Sequence, residues 1–137
     1  MSDVQRAVRV GDAIPALRLP PLTRNDLERY AEASGDHAAV HLDESYARAM
    51  GFPGVIAHGL LVMAYLGRML TSWRGVSRLQ GFSCRFVAVA LLGDCLECTG
   101  VVTALREEGG QRLADLDLEV RDQRSALKLS GRATVRL

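Results

Sequence analysis

The second half of the chain alternates between apolar and polar residues, a pattern typical of β-strands with one solvated face. The alternation is clearest from Leu127 to Leu137, where apolar residues or glycine are separated by Lys, Ser, Arg and Thr. The runs Ala114 to Arg121 and Phe82 to Ala90 follow the same period, and Cys95 to Glu107 follows it more weakly. With a hairpin turn at Gly109-Gly110, these runs predict four consecutive strands.

Helical patterns precede these strands. Thr23 is a suitable N-cap with Asp26 three residues further on, and apolar residues follow at helical spacing until Gly35. A shorter helix is predicted over Glu44 to Met50, which a glycine follows. The segment from Gly59 to about Thr71 is apolar on nearly every side, so we expect it to be a buried helix.

The N-terminal segment from Val8 to Leu22 contains prolines, a Gly-Asp pair and short apolar runs. Because proline interrupts helices, we predict an edge strand and an arm here. Together these elements predict an α+β fold that forms one domain over residues 1–137. In the simplest packing, the antiparallel sheet wraps around the buried central helix with its apolar faces inward.

The charge of the chain is nearly balanced, since 17 basic and 16 acidic residues give a formal net charge of +1. Nucleic-acid binding requires clustered Lys and Arg, whereas the arginines here are scattered, so we expect no nucleic-acid partner. The longest apolar stretch, Gly59 to Gly67, is shorter than the ~20 residues that cross a bilayer, so we expect no membrane partner. The first residues lack the apolar core of a secretory signal, which favours a cytoplasmic location.

Two of the three cysteines, Cys95 and Cys98, have the Cys-x-x-Cys spacing found in metal and redox sites. They lie in a segment predicted to be extended, where residues three apart face opposite sides. The odd number of cysteines also argues against a disulfide framework. We therefore expect free thiols that behave as small hydrophobic side chains.

Titratable side chains cluster directly after the first predicted helix, at Asp36, His37, His41 and Asp43. A carboxylate and an imidazole that lie close together can hold a water molecule and move protons to and from it. Asp36 and His41 are therefore candidates for a general acid–base couple. His37 is expected to lie in a surface loop.

A second candidate feature is His58-Gly59 at the start of the apolar helix. The first N–H groups of a helix are unpaired and carry partial positive charge, which suits a carbonyl oxygen that becomes anionic during a reaction. Gly59 would allow close approach of a substrate to the backbone. His58 is expected to orient the start of the helix rather than to react.

The residues His41-Leu-Asp43 also match the His-x-Asp spacing of non-haem iron sites, with His58 as a third ligand. Such sites are built on a rigid barrel, and their third ligand usually lies much further along the chain. We therefore expect no metal ion and no cofactor.

The order of these motifs resembles the MaoC-like (R)-specific enoyl-CoA hydratases and 3-hydroxyacyl-ACP dehydratases. The residues that carry the resemblance are Ser34-Gly-Asp36, His41, Gly51 to Gly59, the Arg-Phe of Gly81 to Phe86, and Gly93-Asp94. The similarity extends from Val10-Gly-Asp12 to the terminal strand.

This resemblance implies a hot-dog fold and a lyase that adds water to, or removes it from, a 2-enoyl or (R)-3-hydroxyacyl thioester. The thioester would be carried by CoA or acyl carrier protein. Asp36 and His41 would be the catalytic pair, and the N–H of Gly59 would bind the thioester carbonyl. The family is normally dimeric, so a homodimer with the pantetheine arm at the subunit interface is expected.

The chain departs from the family pattern at two places. Ala38-Ala39 stand where the family commonly has Asn-Pro, and Gly67 stands near where some members carry a hydroxyl that supports the aspartate. These differences favour retained chemistry on a different substrate. Two alternatives stay open: an acyl thioesterase with the same fold, and a non-catalytic subunit in a heterodimer with a second hot-dog subunit.

Overall fold

Five antiparallel strands form one curled sheet in the computed structural model, which describes residues 7–137. Residues 1–6, including the predicted start of the domain, lie outside the described residues. The strands are β1 (Leu17–Arg18), β2 (Leu79–Phe86), β3 (Glu97–Glu108), β4 (Gln111–Arg121) and β5 (Leu127–Arg136). Their order across the sheet is β1-β3-β4-β5-β2, so β2 pairs with the last strand and lies at one edge.

The β3–β4 hairpin confirms the predicted glycine turn. Gly109 and Gly110 have φ angles of 58° and 77°, and two consecutive positive φ angles are what a tight hairpin turn requires. In β4, Leu116, Leu118 and Val120 face inward and are buried, as their alternation with acidic residues predicts. One face of the sheet is therefore apolar and the other is charged.

Within residues 7–137, four α-helices accompany the sheet: α1 (Arg24–Ser34), α2 (Ala39–Leu42), α3 (Glu44–Ala49) and α4 (Gly59–Arg74). The predicted start of α1 is confirmed, because the Thr23 side chain accepts from the N–H of Asp26 while the Asp26 side chain accepts from that of Thr23. The predicted end is also confirmed, since Gly35 adopts the left-handed conformation with φ 77°. The short helix α2 was not predicted, because four residues are too few to show a helical period.

The longest helix, α4, packs its apolar face against the sheet. Its buried residues are Leu61, Val62, Leu66, Met69 and Leu70. The expectation that it is buried on every side is wrong, because Leu60, Ala64 and Arg68 form an exposed stripe at four-residue spacing. Leu60 is 61% exposed, since the sheet curls around only one side of the helix within this chain.

Two predicted strands are shorter than expected. Regular pairing in the N-terminal segment is limited to Leu17–Arg18 and an isolated bridge at Ala13, because the prolines cannot donate to the ladder. Separate backbone hydrogen bonds continue the contact with the sheet from Gly11 to Leu22. The strand predicted to reach Ala90 ends at Phe86, where the N–H groups of the next two residues both donate to the carbonyl of Lys128. From there the chain leaves the sheet and crosses toward α4.

The cysteines are free thiols, as expected. Cys98 faces the core and is fully buried, and burial raises the pKa of its thiol to about 12. Cys95 is only partly buried. Within the described part of the chain, each helix is too short or too polar to cross a bilayer.

A buried ion cluster fixes the segment that follows β2. The Lys128 ammonium donates to the carbonyl of Val89 at 2.9 Å and lies 3.5 Å from an Asp122 oxygen and 3.8 Å from an Asp94 oxygen. Both aspartates are buried. Burial alone would raise the pKa of Asp122, but N–H donors from Ala126 and Arg124, together with the ammonium, outweigh it and lower that pKa.

We predict that Lys128→Met lowers the free energy of unfolding by roughly 3–5 kcal/mol, because it leaves two buried carboxylates without their cation. Urea unfolding at neutral pH measures the change. Arg132→Met on the same strand is the matched control, since its pair with Asp117 is largely exposed and should contribute less than about 1 kcal/mol. Equal losses in both variants would contradict the structural role of Lys128.

Candidate functional site

The end of α1 places Asp36 at the start of a short loop. Gly35 turns the chain through its left-handed conformation, and one Asp36 carboxylate oxygen then accepts from the N–H of Ala38 at 3.1 Å. This local turn leads directly into α2, which carries His41. The Ala38-Ala39 pair that departs from the family pattern is therefore used to close the turn and to begin the helix.

Asp36 and His41 lie close together, as the sequence predicts. His41 Nε2 is 3.8 Å from an Asp36 carboxylate oxygen, and its Nδ1 is 2.7 Å from the carbonyl oxygen of Ile56. A carbonyl only accepts hydrogen bonds, so Nδ1 carries the ring hydrogen and the neutral ring presents the Nε2 lone pair to Asp36. The imidazole side chain is 11% exposed and the carboxylate 50%, so one side of this couple is open.

Two acceptors face one another across this gap. An ionised carboxylate and an imidazole lone pair do not hydrogen-bond to each other without a shared proton. A water molecule at the side of this 3.8 Å gap can donate one hydrogen to the carboxylate oxygen and the other to Nε2, each at about 2.8 Å. The geometry of Asp36 and His41 is therefore suited to hold and polarise a single water molecule.

His58 contacts both members of this pair. Its Nε2 donates to the backbone carbonyl of Asp36 at 3.0 Å, and its ring stacks on the His41 ring with centroids 3.9 Å apart. The Tyr30 ring packs against the His58 ring in a T-shaped arrangement with centroids 4.7 Å apart. His58 is only 2% exposed, and burial lowers its pKa despite the bond to the Asp36 carbonyl, so the ring is neutral at pH 7.

A cavity of about 290 Å³ adjoins the couple. Its lining residues are His41, Ile56, Ala57, Gly59, Val62, Phe86, Val87, Ala88, Val89, Ala90, Lys128 and Leu129. Apart from His41 and Lys128 these are apolar, so the cavity suits a hydrocarbon chain next to an acid–base group. The ion cluster at Lys128 thus supports one wall of this space.

Gly59 is the first residue of α4, so its N–H precedes the helical hydrogen-bond ladder and is available to a ligand. A Cβ at this position would lie 2.9 Å from the Phe86 ring, closer than side-chain contacts allow. The absence of a side chain at Gly59 therefore gives room to the aromatic ring as well as to a ligand.

The remaining predicted residues lie outside the pair. His37 is exposed in the loop, as expected, with its Nδ1 near the carbonyl of Gly35. Asp43 caps α3 by accepting from the N–H of Tyr46 at 3.1 Å, so the His-x-Asp arrangement with His41 does not form. His58 was predicted only to orient the start of α4. It has a larger part in the site, because it contacts both Asp36 and His41.

Asp36, His41 and His58 form a two-histidine, one-carboxylate cluster, with one ligand-type atom of each within 4.8 Å of the others. Imidazole lone pairs lie in the ring plane, and these two rings are stacked only 23° from parallel. Two such lone pairs cannot both point at one ion at about 2.0–2.1 Å. The cluster is therefore poorly suited to a metal ion and well suited to proton transfer.

Gly67 lies two turns beyond Gly59 on α4, about 12 Å along the axis. A Cβ there would approach the Phe82 ring at 3.5 Å, an ordinary contact. The family hydroxyl expected near Gly67 therefore has no counterpart at this position, and its support of the aspartate stays a prediction.

The model of the MaoC like domain family matches residues 7–122 of the chain. The chain belongs to this MaoC-like family. A solved (R)-hydratase from A. caviae, involved in PHA biosynthesis, is 29% identical with a TM-score of 0.83 over 96% of this chain and 98% of that one. The predicted α+β hot-dog fold is thereby confirmed.

Two curated relatives of this MaoC-like chain carry names that state an activity. The fatty acid synthase subunit beta of Saccharomyces cerevisiae is 27% identical over 98% of the chain, which spans 6% of that protein. The mitochondrial 3-hydroxyacyl-[acyl-carrier-protein] dehydratase of Arabidopsis thaliana is 30% identical over 72% of the chain, which spans 57% of that relative. The chain therefore covers less than two thirds of either relative.

We predict that neutral His41 of this MaoC-like protein carries its hydrogen on Nδ1, because that nitrogen lies 2.7 Å from the Ile56 carbonyl. Long-range proton–nitrogen NMR distinguishes the protonated nitrogen from the one with a free lone pair. The signals of His41 are assigned by their loss in His41→Gln. A lone pair on Nδ1 would contradict the orientation of the couple.

Proposed function

We propose that this chain is a hydro-lyase that adds water to a 2-enoyl thioester, or removes it from the (R)-3-hydroxyacyl thioester. The observation that supports this most strongly is the pair of acceptors, Asp36 and His41, at 3.8 Å beside an apolar cavity. Membership of the MaoC-like family and the dehydratase and (R)-hydratase names of its relatives support the same reaction, within fatty acid metabolism.

In the hydration direction, the water held by Asp36 and His41 attacks the β-carbon. His41 Nε2 takes one proton from the water as the new C–O bond forms, and the alkene electrons move to the thioester carbonyl oxygen. The N–H of Gly59 stabilises the enolate oxygen that results. The couple then delivers a proton to the α-carbon, which restores the carbonyl and the resting enzyme; dehydration is the reverse.

Asp36 takes up no proton in this sequence. Its carboxylate orients the water and stabilises the imidazolium that forms on His41. His58 stays neutral because its ring is buried, so the proton is held by His41 alone. These roles assign Asp36 and His41 as the catalytic residues and Gly59 as the carbonyl-binding residue.

The acyl group is expected to enter the apolar cavity, whose 290 Å³ is at the small end of ligand pockets, roughly 300–1,000 Å³. We therefore propose that the part of the acyl chain enclosed by one subunit is short. The carrier is either CoA or acyl carrier protein, as the names of the relatives include both an acyl-carrier-protein dehydratase and a CoA hydratase subunit.

Catalysis is tested by hydration of crotonyl-CoA, followed as the loss of absorbance of the conjugated thioester. Asp36→Asn keeps the acceptor for Ala38 but replaces the second oxygen with a donor, and His41→Ala removes the base. We expect each to lower kcat by at least ~100-fold. His37→Gln, an exposed histidine in the same loop, is the matched control and should retain wild-type activity.

A thiol reagent added to the assay distinguishes the alternatives, because hydrolysis of the thioester would also remove its conjugated absorbance. An acyl thioesterase would release free thiol, which a thiol reagent detects, while the alkene is unchanged. Wild-type rates in both Asp36→Asn and His41→Ala would refute the assigned roles. A chain that is inactive alone but active with a second hot-dog subunit would support the heterodimer.

We further propose that the protein is a homodimer. Phe86, Val87 and Val89 line the cavity and are exposed apolar side chains, and Leu60, next to the cavity residue Gly59, is exposed as well. Phe86 is 54% exposed and lies at the end of an edge strand. Exposed apolar clusters beside an unpaired strand edge favour contact with another subunit. A cytoplasmic location is also proposed, since three free thiols suit a reducing compartment.

Light scattering coupled to size-exclusion chromatography tests the dimer. We expect twice the mass of one chain, and we expect Leu60→Asp to shift the protein toward the monomer because it buries a charge in the contact. Val76→Asp is the matched control, since Val76 is equally apolar and 77% exposed but lies beyond the C-terminal end of α4. A monomeric wild-type protein would favour the heterodimer instead.

A further inference from the structure

We infer that His58 is a positioning residue that holds Asp36 and His41 at their working separation through two independent contacts. The inference builds on the proposed function and names a third residue for the same site. His58 touches the backbone of one member of the couple and the ring of the other, and it is itself buried.

The first contact anchors the loop that carries Asp36. Residues 32–39 are all exposed, so this stretch has no buried side chain to hold it against the core. The hydrogen bond from His58 Nε2 to the Asp36 carbonyl at 3.0 Å ties the loop to the start of α4. Because the carboxylate is half exposed, its position depends on this backbone tether and on the local turn with Ala38.

The second contact controls the ring of His41. The bond from Nδ1 to the Ile56 carbonyl lies in the ring plane and leaves the ring free to tilt about it. The His58 ring covers one face at 3.9 Å and opposes that tilt. The T-shaped contact with the Tyr30 ring holds His58 in turn. The Nε2 lone pair is thereby kept on the side of Asp36.

His58 performs both tasks as a neutral ring. Its Nδ1 is buried and has no hydrogen-bond partner within residues 7–137, so a proton there would bring an unpaired charge into the interior. The titratable groups that act on it are Asp36, His41, His37 and the neighbouring Tyr30. Of these only Asp36 favours the charged ring, and burial outweighs that effect.

Two substitutions separate the contacts. His58→Gln retains an N–H near the position of Nε2, so it keeps the bond to Asp36 and loses the stacked ring. His58→Phe retains the stacked ring and loses the donor. We expect each to lower kcat for crotonyl-CoA hydration by roughly 10- to 100-fold with KM within about 2-fold, since misplacement of reacting groups affects the chemical step. His37→Gln is the control for the same substitution on an exposed ring.

The nitrogen NMR signals of His41 give a readout that needs no turnover. In His58→Gln the ring should tilt about its retained bond to the Ile56 carbonyl and turn Nε2 away from Asp36, so the Nε2 signal shifts while Nδ1 stays protonated. In His37→Gln both nitrogens should keep the wild-type pattern. A purely structural role for His58 would lower the unfolding midpoint without altering these signals in the folded protein. Should His58→Phe not fold, His58→Gln and its signals decide the inference alone.

The possible results separate this inference from the proposed function. Wild-type kcat and unaltered His41 signals in the folded His58 variants would overturn the positioning role. A raised KM with unchanged kcat would also overturn it, because His58 would then bind substrate. If the wild-type protein hydrates no enoyl thioester but the His41 signals change as expected, the positioning role stands and the proposed function fails.

Discussion

The hydrogen bond between His41 Nδ1 and the Ile56 carbonyl joins the loop after α1 to the segment before α4. Ile56 contacts two further segments. Its N–H donates to the Val40 carbonyl, and it forms an isolated β-bridge with Leu91, beyond the edge strand. One short extended stretch thus holds the histidine, the helix that carries it and the wall of the cavity. Because a carbonyl only accepts, this contact also decides which histidine nitrogen is free to act as a base.

The rest of the site follows from how the sheet encloses α4. The strands cover one side of the helix, and the chain then leaves the sheet after Phe86 to cover part of another. The Lys128 cluster fixes this second segment, since its ammonium binds the Val89 carbonyl between two buried aspartates. The cavity is therefore a gap between the sheet and the helix start, and the polar contacts of Lys128 fix one of its walls.

Much of this architecture could be predicted because the signals were local. The alternation in β4 and β5, the capping residues of α1 and the glycine pair of the hairpin each act within a few residues. The proximity of Asp36 and His41 was also predictable, since they lie five positions apart and the family pattern names them. Their catalytic roles remain a prediction.

Other features depend on contacts between distant segments, which no local pattern reveals. The bond from His58 to the Asp36 carbonyl spans 22 positions, and the stacking of His58 on His41 spans 17, so sequence reasoning assigned His58 only a local role. The exposed stripe of α4 was missed for a related reason. An apolar helix pattern indicates that the helix surface must be buried. It does not show whether residues of the same chain or of another chain bury that surface.

The contact between Gly59 and Phe86 has an evolutionary consequence. The aromatic ring fills the space that a Cβ at position 59 would need, so the two sites share one volume between the helix and the edge strand. A larger residue at position 59 can be accommodated only if the residue at position 86 is smaller or moves away. Among related chains, these two positions are therefore expected to covary, although they are far apart in sequence and belong to different elements.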